Sequence, residues 1–364
     1  LEPKSKRKVC VRIFGPLPPP VHGVSLLVEA FVGYCNENSI DVRVCRTSPK
    51  RLHLKHRNSI IESFGLLCLM VRLIFEAFRI CVTRRRDVVC IYLATLRVAL
   101  VRDLLIVLVF RVFRKQVYIY LHGTELSLKN RLYRRVIKFI IGDNVIIYVS
   151  DGLQQEHEWL DCIEERVVPN GVNEFCNFNY VRKEMECLNL LFFSNVFKEK
   201  GIEEFIDVVL ELERRGVDFR ARICGSLLGG YSHEYFEKRL GGILRTGKVC
   251  VEGHTSGQQK SEVFEWADVL LFPSYRESFG NVIVEGMSAG VLVISSRTTS
   301  SPFILSEGSG FVVEDFVNEA VEILESIEDL ERLGVVTSAY ERYQKMFTEK
   351  KYFDNLGAVL MKKG

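Results

Sequence analysis

Glu277 and Glu285 stand eight positions apart in FPSYRESFGNVIVEGMSAGVLVISS (272–296), with Ser278, Phe279, Gly280 and Asn281 just after the first acid. An apolar strand pattern, DVLLFPS, leads into the pair, and a small-residue helix pattern, GNVIVEGMSAG, carries the second acid. The turn through Phe279, Gly280 and Asn281 therefore presents a helix N-terminus, whose first amides lack intrahelical partners and favour an anion. A carboxylate ligand would be repelled by the two acids, which call for hydroxyl donors instead. Eight helical residues span about 12 Å, the reach from a sugar to a ribose across a pyrophosphate. The pattern describes a nucleotide-sugar site, with Glu277 on sugar hydroxyls, the helix N-terminus on phosphate and Glu285 on ribose hydroxyls. Glycosidase carboxyls lie about 5–9.5 Å apart across one bond, a poor fit to one acid in a loop and one further down a helix. Taken alone, the two would be a solvated loop acid and a surface helix charge. The framing strand, Pro-Ser, Phe-Gly and Ser-Ala-Gly argue for the site.

Three further residues stand where strands end. Lys200 follows the strand pattern LNLLFFSN (188–195) and opens the helix pattern KGIEEFIDVVLELERRG, a place suited to phosphate although a lone lysine there would be a solvated charge. His122 ends QVYIYL and precedes a glycine, and Gly23 closes the loop PLPPPVHG after the strand KVCVRIFG. No Asp-x-Asp occurs anywhere in the chain, a pair that would hold a divalent metal on a pyrophosphate. Backbone amides, the helix dipole and Lys200 are left to neutralise a diphosphate, so no metal and no cofactor beyond the donor substrate is expected.

These residues need a scaffold, and strand and helix patterns alternate along the chain. Strand-like runs at 8–15, 41–47, 87–94, 116–123 and 144–150 are separated by helical periodicity, lapse at 176–188, and restart with 188–195. Such alternation implies parallel sheets covered on both faces. The expected fold is α/β, two tandem Rossmann-like doubly wound domains facing a central cleft, with ligands at the carboxyl ends of strands. The expected domains are 1–180 for an acceptor, 181–345 for a nucleotide-sugar donor, and 346–364 as a helix returning to the first.

The totals agree with two domains: 364 residues exceed one ordinary core. Charged residues at 26% rule out disorder, and a formal net charge of +3 favours no nucleic-acid partner. The 11 cysteines include no C-x-x-C pair, so a disulfide framework or zinc site is not expected and a reducing compartment is. No signal peptide is visible from Leu1 onward. Two apolar stretches, 64–82 and 96–113, carry central charges such as Arg72, Glu76, Arg102 and Asp103. Spanning helices with charges there cost several kcal/mol, so buried or membrane-facing surface helices are the better reading. Basic runs concentrate in the first half, at Lys4–Lys8, Lys50–Arg57, Arg84–Arg86 and Arg131–Lys138. Apolar helices edged with such residues suit an anionic bilayer surface.

PSYRESFGNVIVEGMSAGVLVISS resembles the donor-site signature of retaining family-4 glycosyltransferases of the GT-B fold. The likeness runs over nearly the whole chain. FFSNVFKEKGIEEFIDVVLEL is similar to the first strand and helix of the donor domain, which makes Lys200 the pyrophosphate clamp. YLHGTE makes His122 the acceptor-side residue at the reacting centre. GPLPPPVHGVSLLVEAF places Gly23 nearest the phosphates. VVPNGVNEF resembles the domain-crossover turn, and YERYQKMFTEKKYFDNLGAVLMKK the returning last helix. The chain departs from the pattern at Asn195, where the family often has a clamping Arg, at His22, at Asn173 and in 299–304. The resemblance implies transfer of a hexose from a nucleotide diphosphate sugar to a hydroxyl of a lipid-linked glycan, polyprenyl-linked as in capsule or O-antigen assembly. It implies retention, with His122 and Glu277 catalytic and Asn195, Ser278, Phe279, Gly280 and Asn281 holding the donor with Lys200 and Glu285. The implied location is cytoplasmic, peripheral at the inner membrane. The rivals are a nucleotide-sugar 2-epimerase of the same fold, which a donor-only assay separates, and a non-catalytic partner subunit.

Overall fold

A computed structural model describes residues 10–20, 22–48, 59–83, 87–94, 97–123, 130–176 and 187–361. The chain forms two compact units, Leu1–Asn170 with Tyr352–Gly364, and Gly171–Lys351. The units part after Asn170 and Lys351, against the sequence boundaries of 180 and 345. Most of the expected linker at 176–188 lies outside the described residues.

The N-terminal unit holds strands β1 (Cys10–Gly15), β2 (Asp41–Arg46), β3 (Asp87–Leu93), β4 (Tyr118–Leu121), β5 (Val145–Tyr148) and β6 (Glu164–Val167). They form one parallel sheet in the order β2-β1-β3-β4-β5-β6. The inner strands are mainly apolar runs: all six residues of β1, and all four of β4 and of β5, are buried, and the one charge among them, Arg12, is paired with Asp87 at 3.1 Å. That is how a strand must read when helices cover both sides of a parallel sheet. β6, EERV, is half exposed at the edge and carries no such run. Helix Glu349–Met361 completes this core with Tyr352, Phe353, Leu356 and Leu360. The Tyr352 and Tyr92 hydroxyls lie 3.1 Å apart, and Phe353 stacks on Tyr34 at 4.9 Å.

The C-terminal unit repeats the plan with β7 (Leu188–Phe193), β8 (Phe219–Cys224), β9 (Val249–Gly253), β10 (Val269–Phe272), β11 (Leu292–Ser296) and β12 (Phe311–Val313), ordered β12-β11-β10-β7-β8-β9 and all parallel. The chain starts at the centre with β7, walks outward to β9, then returns to lay β10 on the other side of β7. The order reverses between β7 and β10, so the loops after these two strands open side by side. Ligands bind at such switch points. No helix among the described residues is long and apolar enough to cross a membrane.

Candidate functional site

The loops that follow β7 and β10 touch through their backbones. After β7 the chain makes a 3-10 turn, Lys198–Lys200, and enters helix Ile202–Arg215 through Gly201, whose φ is 76°. Lys200 thus sits on the turn ahead of the helix rather than on the helix itself. A Cβ on Gly201 would lie 2.1 Å from the Pro273 carbonyl oxygen, so only glycine lets the β7 loop approach the β10 loop this closely. The Tyr275 amide donates to the Glu199 carbonyl at 3.1 Å across the same junction.

This junction brings Lys200 and Glu277 together. The Lys200 ammonium pairs with Glu277 Oε1, and both side chains are largely buried. The fully buried Ser274 hydroxyl lies 3.4 Å from that same Oε1 and 3.4 Å from the Glu199 carbonyl, bridging the two loops under the pair. Sequence reading singled out Lys200 and Glu277 separately, for phosphate and for sugar; their direct pairing and the part of Ser274 emerge only from the packing of the loops.

Beyond Glu277 the chain turns into helix Asn281–Ala289 at Gly280, a left-handed residue (φ 87°, ψ 63°) that caps the helix without a side-chain hydrogen bond. Phe279 anchors the turn, 2% exposed and edge-on to Phe347 at 6.1 Å. The Ser278 carbonyl accepts from the Ser300 hydroxyl. The helix lies close on the sheet because Gly286 carries no Cβ, which would meet Val293 Cγ2 at 2.9 Å. One turn down, Glu285 pairs with Lys260 at 2.7 Å. Burial pushes the Glu285 carboxyl above its ordinary range, and Lys260 opposes that rise. Lys260 comes from helix Gln258–Trp266, in SGQQKSEVFEW, where no motif marks it. Asn195 is exposed in the loop after β7.

Gly23 and His122 belong to the N-terminal unit. His122 follows β4, with its ring stacked on Tyr92 at 5.3 Å and against Tyr120 at 4.1 Å. Its Nε2 is buried with no hydrogen-bond partner among the described residues, and burial lowers its pKa to about 3. It is a neutral imidazole with an unused nitrogen. Gly23 opens helix Gly23–Glu37, and His22, unassigned by sequence, caps it: Nδ1 accepts from the Ser25 amide at 3.3 Å while the Ser25 hydroxyl accepts from the His22 amide at 3.0 Å.

Among the described residues no group of three or more His, Cys, Asp or Glu is gathered to hold a metal ion. The C-terminal unit instead offers two carboxylates, each matched with a lysine, on either side of a glycine-capped helix start. A diphosphate can draw Lys200 and the helix dipole, and hydroxyls can take the carboxylates.

Residues 180–348 match the family of Glycosyl transferases group 1. Over 224 residues the chain is 29% identical to an uncharacterized 41.2 kDa protein in the cps region of Klebsiella pneumoniae, covering 59% of this chain and 56% of that one. It is 26% identical to the capsular polysaccharide biosynthesis glycosyltransferase CapM of Staphylococcus aureus, covering 58% and 52%. The chain thus spans about half the length of the curated relatives it matches. Anabaena Alr3699/HepE, solved in complex with UDP, superposes with a TM-score of 0.69 at 15% identity, over 97% of this chain and 100% of that one. The fold is that of the GT-B glycosyltransferases, two tandem Rossmann-like units.

Proposed function

We propose that this chain, whose C-terminal unit matches the group 1 glycosyl transferases, moves a hexose from a nucleoside diphosphate sugar to a hydroxyl with retention. The observation that carries the reading is the Lys200–Glu277 pair at the switch point, between two helix starts that are both capped by glycine. The two charges satisfy each other in the structure. A donor gives each a new partner: the diphosphate takes Lys200 and the helix N-terminus of Asn281–Ala289, the sugar hydroxyls take Glu277, and the ribose hydroxyls take Glu285. The bond from the anomeric carbon to the diphosphate oxygen breaks, the acceptor oxygen bonds to that carbon on the same face, and the acceptor proton passes to the departing diphosphate. Stabilising the charge on that leaving group is then the main catalytic lever. His122, neutral at working pH, serves the reacting centre as a hydrogen-bond partner and not as a charge. The transfer in this reading requires no metal.

The acceptor in this reading is a polyprenyl-linked glycan of surface-polysaccharide assembly, reached at an anionic membrane surface from the cytoplasmic side. What supports it is the face of the N-terminal unit. Helices Ser59–Val82, Arg97–Val112 and Arg131–Ile141 expose large apolar side chains, among them Phe64 (67%), Phe75 (62%), Val112 (70%), Leu132 (68%) and Phe139 (64%). Between the first two lies an apolar groove of about 530 Å³, lined by Val71, Phe75, Phe78, Val109 and Phe113. Arg131, Arg135 and Lys138 share the third helix with Leu132, Val136 and Phe139. Such helices bind anionic surfaces by apolar burial plus about 1 kcal/mol per basic residue.

The test is a panel of nucleotide sugars scored by thermal shift, with transfer then assayed on membrane-extracted acceptors in excess chelator. Stabilisation by one base and one sugar, and product formed only with acceptor present, are expected. No stabilisation by any donor overturns the site. Product that needs added magnesium overturns the account of the leaving group, and a rearranged free sugar from donor alone makes the chain an epimerase. Sedimentation with anionic but not neutral vesicles checks the membrane face.

A further inference from the structure

Lys260 is the group that no sequence motif and no step of the proposed transfer uses. Its ammonium lies 2.7 Å from Glu285 Oε1 and over the ring of Phe175 at 4.6 Å, with the rings of Phe193 and Phe264 at 5.6 and 5.9 Å. The rings are themselves packed, Phe175 edge-on to Phe264 at 5.2 Å and Phe193 tilted on Phe264 at 5.0 Å. The Ser261 hydroxyl donates to the Phe175 carbonyl at 3.0 Å, tying Lys260's helix to the segment that supplies the first ring. A cation held over aromatic faces keeps its charge and loses freedom at the same time. The ammonium is therefore a fixed charge aimed at one carboxylate, and its side chain is 24% exposed where that of Glu285 is 15% exposed.

We infer that Lys260 is a positioning residue that keeps Glu285 an ionised, oriented acceptor for the two ribose hydroxyls of the donor, and so sets how strongly the protein prefers a ribonucleotide. The inference rests on the donor-site reading above. A carboxylate has acceptor positions enough for a lysine and a vicinal diol, whereas a protonated acid would spend one oxygen as a donor. Burial favours the protonated form of Glu285 and displaces its carboxyl upward, against the pull of Lys260. Helices Asp329–Met346 and Ser301–Ile304, strands β10 and β11, and helix Gln258–Trp266 pack on its helix. Among the described residues Lys260 is the charged group that acts on it from these elements; Glu262, on Lys260's own helix, is engaged by Gln258 at 3.0 Å. Without Lys260 the carboxyl is displaced further upward, and ribose binding acquires a steeper pH dependence than the parent's.

The experiment is calorimetric titration of the full chain with UDP, GDP and their 2′-deoxy analogues from pH 6 to pH 9, in the parent and in Lys260→Met, Lys260→Arg and Glu285→Gln. The parent should prefer one ribonucleotide over its deoxy form, and its pH profile is the reference, carrying the titration of the diphosphate's own terminal phosphate. Lys260→Met should bind roughly tenfold to a hundredfold more weakly at pH 6, the loss expected for a charge-assisted hydrogen bond, and should recover as pH rises and Glu285 ionises. Lys260→Arg should restore the parent's profile, and Glu285→Gln should be weak with no pH dependence beyond the parent's. A Lys260→Met protein with the parent's affinity, profile and ribose preference overturns the role of Lys260 and leaves the donor site standing. Uniform weakening at every pH makes Lys260 a packing residue and overturns the inference too. A parent that binds neither diphosphate overturns the nucleotide reading and, with it, this inference.

Discussion

The helix that follows the first strand of the N-terminal unit and the two helices at the switch point of the C-terminal unit begin in opposite ways. At Gly23–Glu37 the helix start is closed by its own side chains: His22 Nδ1 takes the Ser25 amide and the Ser25 hydroxyl takes the His22 amide. At Ile202–Arg215 and Asn281–Ala289 the cap is a left-handed glycine that brings no side-chain acceptor. The same fold thus starts its helices, whose first donors lack intrahelical partners, once with a side-chain cap and once with a glycine that supplies none. A phosphate arriving near Gly23 competes with His22 for an amide. One arriving at Gly280 meets a cap residue without a side chain, and on the adjoining loop Lys200 is held by Glu277. The division of labour between two similar sheets is written in the cap residues.

The contrast breaks first at Lys200. Lys200→Ala should cut transfer about 10²–10³-fold, the order found when one donor to a developing charge is removed, and should weaken the free nucleoside diphosphate as well as the donor. Glu277→Gln should weaken the sugar-bearing donor and spare the free diphosphate. Equal affinity of Lys200→Ala and parent for the diphosphate removes Lys200 from the site. The next effect is on stability. Gly201→Ala combines a left-handed residue with a backbone oxygen 2.1 Å from the new Cβ, whereas Gly216→Ala has a similar φ of 75° and open space around it. Gly216→Ala should cost about 1–2 kcal/mol and Gly201→Ala clearly more, by denaturant titration; equal costs would mean that the two loops are not in backbone contact.

Smaller still is the closed cap. His22→Ala should cost about 0.5–2 kcal/mol of stability with nucleotide affinity unchanged. A change in that affinity would join the N-terminal helix start to the phosphate site and blur the contrast. The smallest effect is one of pH. Burial lowers the pKa of both His22 and His122 below the ordinary histidine value. The folded chain therefore binds fewer protons than the unfolded chain below about pH 6.5, and stability falls as pH drops through that value. His22→Ser keeps a cap acceptor but does not titrate, so its melting temperature should fall less than the parent's between pH 7.5 and pH 5.5. A parallel decline would exclude the imidazole cap as a source of the pH dependence.

Much of this was legible in the chain itself, for identifiable reasons. Strands buried on both faces must be mainly apolar, so β1, β3, β4, β5, β7 and β10 announce themselves, and Gly216 and Gly290 mark helix ends as left-handed caps. The edge strands EERV and FVV did not, being short and partly exposed. The acids at 277 and 285 were readable because their spacing across a loop and the helix start that follows it has a chemical meaning. Their lysines were not readable as partners: Lys200 reaches Glu277 across 77 residues of sequence, and Lys260 reaches Glu285 through the packing of two helices whose own patterns say only that they are helices. The His22 cap was missed because His-x-x-Ser is not the usual Ser/Thr-x-x-Glu form of the capping box.

The last helix sets a timetable for synthesis. Residues 352–361 belong to the N-terminal core, yet Tyr352 meets Tyr92 across 260 residues of sequence and Asp354 meets Tyr34 across 320. A ribosome adding about 5–20 residues per second must translate the entire C-terminal unit first, roughly 10–40 s during which the first unit waits with its seat for Tyr352, Phe353 and Leu356 uncovered. The first domain to be made is the last to be finished, and a fragment ending at residue 170 would be a nascent-chain intermediate and not an independent protein.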